Sequence, residues 1–237
     1  MRTSKRPRHP AADAEAGVSA RPASTLEILA DETVSEMIVK PHAAAFLAAH
    51  PHLSVGFRQR AFAPDASCEG VDLVLQYAPA AAALPGAATL GAQRLLTCAA
   101  PSYLRARGVP NTPAELCAQR HDAVIVSETQ PRAWQFANPS RAVDVAPRRR
   151  VTAPSLSAAL ALALGSAGIA RLPECWAIGL VRSGRLVRLL PDREPRLHLL
   201  ARTPHGGRHP GAGAFLRFIR TLLDTGAAPV LQRTGME

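Results

Sequence analysis

Few side chains in this sequence have the type and spacing of a catalytic or metal-binding group. Ser166 resembles a nucleophile elbow only superficially, because the residues around it do not form Gly-x-Ser-x-Gly and they follow a predicted helix rather than a strand. His50 with His52 and His205 with His209 are two histidine pairs, but no cluster of Cys, Asp or Glu completes a metal site beside them. We therefore expect no catalytic residues, no metal and no cofactor.

The four cysteines give no sign of a redox or zinc site. Cys68, Cys98, Cys117 and Cys175 show no CxxC spacing, which argues against zinc ribbons and thioredoxin-like motifs. Cys98 lies inside an apolar run, so we expect it to be a small buried hydrophobic residue in a reducing compartment. No glycine-rich phosphate loop follows a predicted strand, and nucleotide binding is therefore unsupported.

The chain is strongly basic, with 28 Lys+Arg against 18 Asp+Glu and a formal net charge of +10. Such a charge is compatible with nucleic acid or an anionic membrane. We favour arginine scattered through an Ala- and Arg-rich chain, because the two local clusters, residues 1–24 and Arg148–Arg150, are not interleaved with aromatic residues. No secretory signal and no long apolar span are present, so we expect a cytoplasmic protein with no membrane partner.

Apolar spacing predicts strands alternating with helices after a disordered basic tail at residues 1–24. The predicted strands are Leu26–Leu29, Leu53–Arg60, Val71–Leu75, Arg94–Ala99, Ala123–Val126, Ile169–Leu172, Leu186–Leu190 and Leu197–Ala201. The predicted helices are Glu36–Ala49 with Pro41 in its early part, a capped segment from Thr112, Leu156–Leu164 with Ser155 as N-cap, and Gly213–Leu223. This alternation favours α/β layers with parallel strand pairing.

Eight segments in this order resemble one known family. They are Leu26–Pro51 (ending in Phe-Leu-x-x-His-Pro), Glu69–Val74, Leu96–Leu104, Pro113–Leu116, Trp134–Phe136, Ala158–Pro173, Ser183–Leu190 and Phe215–Leu223. Together they cover residues 25–225 and resemble the effector-binding (substrate-binding) domain of LysR-type transcriptional regulators, without the N-terminal winged helix-turn-helix of that family.

The resemblance implies an α/β, two-lobed, periplasmic-binding-protein-like (type 2) fold with a ligand cleft between the lobes. Lobe I would comprise residues 25–97 plus 199–223, lobe II residues 98–198, and a C-terminal tail residues 226–237. Ligands of such sheets lie beyond the carboxyl ends of strands and near helix N-termini, which here are Asp31–Ser35, Gln76–Pro79 and Ser155–Ser157. The predicted ligand-binding residues are Asp31, Glu32, Thr33, Ser35, Tyr77 and Ser155.

The first of these turns departs from the family. It carries two carboxylates, Asp31 and Glu32, where the family often presents hydroxyls and amides to an anionic effector. If both carboxylates face the cleft, they favour an amine or an amino acid. If they instead cap the following helix, they say nothing of the ligand, and we favour this second interpretation. Pro154-Ser155 replaces the family's common Asn-Asp, so the usual contacts there are in doubt.

The start of the chain departs further, since 24 residues are too few for a DNA-reading trihelical module. We therefore expect an effector-sensing regulatory domain that binds a small molecule and forms homo-oligomers, or hetero-oligomers with a full-length relative. The resemblance implies that subunits pair through the first lobe, so the helix Glu36–Ala49 and the strand Leu53–Arg60 are the expected interface. DNA would be contacted only indirectly through such a partner. The alternative is a stand-alone small-solute-binding protein.

Overall fold

A computed structural model describes residues 25–59, 68–79, 85–116, 121–126, 133–136, 143–147, 149–204 and 209–228. The predicted basic tail at residues 1–24, Arg60, Arg148, His205 and most of the predicted C-terminal tail lie outside the described residues.

Eleven strands and six α-helices make up the described part of the chain. The strands are β1 (Thr25–Ala30), β2 (Ser54–Gln59), β3 (Leu73–Pro79), β4 (Ala88–Ala99), β5 (Asp122–Val126), β6 (Trp134–Phe136), β7 (Val143–Val145), β8 (Arg149–Ala153), β9 (Ile169–Pro173), β10 (Val187–Leu189) and β11 (Arg196–Arg202). The α-helices are α1 (Glu32–Val34), α2 (Lys40–Ala49), α3 (Pro101–Arg107), α4 (Leu156–Leu164), α5 (Glu174–Arg182) and α6 (Pro210–Asp224). Short 3-10 turns cover Pro113–Leu116 and Pro191–Arg193, and a π-helical segment covers Ser35–Val39.

Nine of the strands form one mixed sheet in the order β2-β1-β3-β11-β4-β9-β5-β8, with β10 also paired to β4. The long strand β4 pairs with β11 as far as Arg94, and from Leu95 onward it pairs with β9 and β10. We call β1, β2, β3, β11 and the first part of β4 the first lobe, and the other strands of this sheet the second lobe. The expectation of parallel pairing is only half right, because β4 and β11 run antiparallel to all their neighbours.

The core of the first lobe lies between its sheet and the helices α2 and α6. Leu26 and Ile28 of β1 and Leu75 of β3 are fully buried there against Phe46 of α2 and Phe215 of α6. The rings of Phe46 and Phe215 meet edge to face, with centroids 4.8 Å apart. The alternate apolar residues of β1 and the apolar face of α6 therefore pack together in one layer.

The helical segment after β1 begins at Glu32, four residues before the predicted start. Its middle is a π-helix in which the Lys40 amide donates to the carbonyl of Ser35, five residues back. Pro41 explains the wider turn, since proline has no N–H to donate and its ring clashes with the carbonyl four residues before it in an α-helix.

The second lobe contains a buried cation that accounts for one of the family-like motifs. Arg171 of β9 is 4% exposed, and its guanidinium lies 4.7 Å from the ring centre of Phe136 and 5.5 Å from that of Trp134. It also donates to the carbonyl of Gln135 at 2.6 Å. Burial lowers the pKa of Arg171 to about 10. The Trp-x-Phe motif thus forms a cation-π site that holds the small β6–β7 sheet against the lobe.

Candidate functional site

Asp31 follows β1 and caps the helix that starts there. Its Oδ1 accepts a hydrogen bond from the Val34 amide at 2.8 Å, and its Oδ2 accepts one from the Tyr77 amide of β3 at 2.5 Å. The Asp31 amide donates to the Leu75 carbonyl at 3.1 Å. Burial raises the pKa of Asp31 to about 6, although these amide contacts oppose the rise. The predicted capping role is confirmed for Asp31, and its side chain ties β1 to β3.

Glu32 behaves differently, because its carboxylate reaches the second lobe. Its Oε2 accepts a hydrogen bond from the Leu156 amide at 2.8 Å, and its Oε1 accepts one from the Ser157 amide at 3.1 Å. Both amides belong to the first turn of α4, and the partners are 124 and 125 residues apart in the chain. Glu32 therefore joins the turn after β1 to the N-terminus of a helix in the other lobe.

Ser155 is the N-cap of α4, as the sequence predicts. Its Oγ lies 3.1 Å from the Ala158 amide, which donates to it, and its carbonyl accepts from the Ala159 amide at 3.0 Å. The hydroxyls of Ser155 and Ser157 are 2.8 Å apart. With Glu32 bound to the two preceding amides, each of the first four amides of α4 has an acceptor.

The remaining predicted residues lie deeper beside this junction. Thr33, Ser35 and Tyr77 are 2%, 6% and 8% exposed. Burial raises the pKa of Tyr77 well above its usual value, with smaller contributions from Cys175 and Asp31. Tyr77 belongs to β3 rather than to a loop after it: the prediction that Gln76–Pro79 follows the strand is wrong, because pairing with β11 extends β3 through Pro79.

One buried polar residue at the seam between the lobes, Gln93, was missed from the sequence. The Gln93 side chain of β4 accepts a hydrogen bond from the Cys175 amide at 3.1 Å, and it caps the first turn of α5. Gln93 is 2% exposed. The signal was Gln93, which stands with Arg94 between the apolar Ala92 and Leu95, since a polar residue in a buried strand needs a partner.

The two chain crossings between the lobes are joined by a network of two arginines, Arg94 and Arg188, with two glutamates, Glu174 and Glu194. The Arg94 guanidinium donates to the Glu174 carboxylate at 3.2 and 2.5 Å, and its Nε lies 3.9 Å from Oε2 of Glu194. The side chains of Glu174 and Glu194 are 4% and 1% exposed. Spacing in the sequence gave no hint of the Arg94–Glu174 pair, because these residues are 80 positions apart.

Other candidate groups have structural partners. The Nδ1 of His50 lies 3.0 Å from the carbonyl of Phe46, and the Nδ1 of His209 accepts from the Gly211 amide at 3.1 Å. Burial raises the pKa of Cys98 and of Cys175 to about 12. Within the described ranges no group of three His, Cys, Asp or Glu side chains has the arrangement of a metal site. None of the described helices is long and apolar enough to cross a membrane.

The model of the LysR substrate binding domain family matches residues 19–224. The chain belongs to this family. Among curated relatives of this LysR domain, the HTH-type transcriptional activator AaeR of Escherichia coli K12 is 28% identical over 178 residues, which are 74% of this chain and 57% of the relative. The chain thus spans just over half the length of that regulator.

Solved LysR regulatory domains share the fold. The CrgA regulatory domain of Neisseria meningitidis superposes with a TM-score of 0.68 at 20% identity and covers 85% of this chain and 100% of its own. The regulatory domain of AphB from Vibrio vulnificus gives 0.68 at 18% identity, with 84% and 100% covered. The expected two-lobed, type 2 periplasmic-binding-protein-like fold is confirmed by these likenesses.

Proposed function

We propose that this LysR domain binds a small-molecule effector in the cleft between its lobes and passes the change to the regulator of which it is the sensing part. The observation that carries the proposal is the contact of Glu32 with the amides of Leu156 and Ser157. This contact brings the turn after β1 next to the N-terminus of α4. These two segments, one from each lobe, are among those that the sequence predicts to contact the ligand. The proposed ligand residues are Asp31, Glu32, Thr33, Ser35, Tyr77 and Ser155.

Binding there has a route to the rest of the molecule. The lobes are joined by β4 and by the segment between β10 and β11. A ligand bound between the two lobes therefore shifts the equilibrium between their open and closed arrangements. It does so only by its difference in affinity for the two arrangements. Catalysis is not part of the proposal.

The proposed oligomer uses the helical segment Glu36–Ala49 and the segment Leu53–Arg60, which contains β2. Among the described strands β2 forms the edge of the sheet, and Phe57 on it is 41% exposed, with Leu47 of α2 at 37%. An edge strand beside apolar side chains favours pairing with another subunit. The partner would be a second copy or a full-length relative, and DNA would be reached through such an assembly in the cytoplasm.

An effector screen on the purified chain tests the proposal. Amines, amino acids and carboxylic acids are compared by thermal shift at matched ionic strength, and each stabilising compound is titrated by calorimetry. We expect binding that Tyr77→Phe weakens by an order of magnitude or so and that Tyr103→Phe, in α3 of the second lobe, leaves intact. An effector site in this cleft would be contradicted if every compound bound Tyr77→Phe and Tyr103→Phe equally well. It would also be contradicted if no class of compound bound at all.

A further inference from the structure

The first turn of α4 is bound by a carboxylate that comes from the other lobe. The Leu156 and Ser157 amides are adjacent and each contacts a different oxygen of Glu32, at 2.8 and 3.1 Å. Two neighbouring amides at the positive end of a helix form a site that suits one carboxylate. In this chain the carboxylate is part of the protein itself.

The backbone that carries Glu32 is held in place. Asp31, the preceding residue, is bound through its carboxylate to the amides of Val34 and Tyr77, and through its own amide to Leu75. Thr33 on the other side is 2% exposed. The Glu32 side chain therefore leaves from a fixed point of the first lobe, and its contact with α4 constrains the position of the second lobe.

We infer that Glu32 is an intramolecular latch: it occupies the carboxylate-binding end of the cleft, ties the two lobes together, and admits a free carboxylate to the α4 amides only when it is displaced. The regulatory role of the latch rests on the proposed function, because an acidic effector would compete with Glu32 for the α4 amides. The tie between the lobes itself needs no ligand.

Glu32 also explains why an acidic turn suits this cleft. Neither carboxylate is available in full to an amine, because Asp31 and Glu32 each accept two hydrogen bonds from backbone amides. The N-terminus of α4 favours a negative charge, and Glu32 supplies that charge from the protein itself.

Three proteins test the latch: the parent chain, Glu32→Ala, and Asp144→Ala as the charge-matched control. Asp144 lies on β7, away from the cleft turn and the proposed oligomer interface, and it is exposed. Without ligand, we expect amide hydrogen exchange at Leu156 and Ser157 to be about tenfold or more faster in Glu32→Ala and unchanged in Asp144→Ala. Unchanged exchange in Glu32→Ala overturns the latch.

Acetate then tests the carboxylate site. At matched ionic strength against chloride, sodium acetate should raise the Tm of Glu32→Ala and restore slow exchange at Leu156 and Ser157, with no such effect on the parent or on Asp144→Ala. An equal response of all three proteins overturns the displacement part of the inference. If Glu32→Ala does not fold, Glu32→Gln keeps the shape with one acceptor oxygen, and a smaller change in the same direction is expected.

The two proposals fail separately. Faster exchange and acetate rescue in Glu32→Ala, with no compound that binds through Tyr77, would leave the latch standing and remove the effector site. An effector that binds in the cleft, together with exchange in Glu32→Ala that equals the parent's, would leave the effector site standing and remove the latch.

Discussion

The Glu194 carboxylate accepts two hydrogen bonds from the guanidinium of Arg188, at 2.7 and 2.5 Å, while only 1% of its side chain is exposed. Glu194 lies in the segment that returns from β10 to β11, and Arg94 of the other crossing is 3.9 Å away. One buried carboxylate thus contacts cations from both sides of the seam between the lobes.

Loss of this carboxylate should be strongly destabilising. We expect Glu194→Ala to lower the free energy of unfolding by about 3 kcal/mol, because it leaves the partly buried Arg188 without its acceptor. Urea unfolding followed by circular dichroism measures the change. Asp192→Ala, on the exposed turn two residues earlier, is the control and should stay within about 0.5 kcal/mol of the parent. Equal losses in both variants would contradict a structural role for the network.

Two glycines should respond in opposite ways to alanine. A Cβ on Gly168 would lie 2.5 Å from the Asp122 carbonyl oxygen, and a backbone carbonyl cannot turn aside as a flexible side chain can, so we expect Gly168→Ala to destabilise by about 1–3 kcal/mol. Gly179 lies inside α5 with nothing within 4 Å of its Cβ position, so Gly179→Ala should stabilise by about 0.5–1 kcal/mol. Thermal unfolding of the two variants beside the parent measures both signs.

The cap of α4 can be tested with a pair of serines. Ser155→Ala removes the acceptor of the Ala158 amide, and we expect it to lower the free energy of unfolding by about 1 kcal/mol. Ser157→Ala removes only an exposed hydroxyl that contacts Ser155, so it should lower the free energy of unfolding by no more than about 0.3 kcal/mol. A larger loss in Ser157→Ala than in Ser155→Ala, measured by urea unfolding, would show that the cap is assigned to the wrong residue.

Asp31 should give the protein a distinct pH dependence. Its pKa is raised from 3.8 to about 6, so the folded state holds the proton more tightly than the unfolded state. Its contribution is therefore most favourable at low pH and is lost as the pH rises toward about 6, by up to about 3 kcal/mol. Asp31→Ser keeps a capping oxygen without a titrating group, and the difference between parent and variant isolates this residue.

The measurement is the free energy of unfolding of both proteins at a series of pH values. The difference, parent minus Asp31→Ser, should fall between about pH 4 and pH 6. A difference that rises over this range would mean that the amide contacts outweigh burial.

Much of the fold was predictable, because the segments that resemble the LysR domain also carry local structural signals. Ser155 before an alanine-rich run predicted the start of α4, and the spacing of Phe215 and Ile219 predicted α6. Helices α3 and α5 were not predicted. The end of β3 was also misplaced, because its extension to Pro79 depends on pairing with β11, more than a hundred residues later.

The candidate site shows the same division. The cap formed by Asp31 follows from its position before a helix, which is a local property. The contact of Glu32 with α4 joins residues 124 apart, and no spacing along the chain reports it. Gln93 and the contact of Glu194 with Arg94 were missed for the same reason, since both pairings are set by how the lobes meet.

The place of β11 has a consequence for protein synthesis. β11 lies between β3 and β4 in the sheet, so these two earlier strands are linked within the sheet only once β11 has been synthesised. Every strand of the second lobe precedes β11. The second lobe can therefore complete its sheet first, while the first lobe, which contains the earliest described strand, is the last to close.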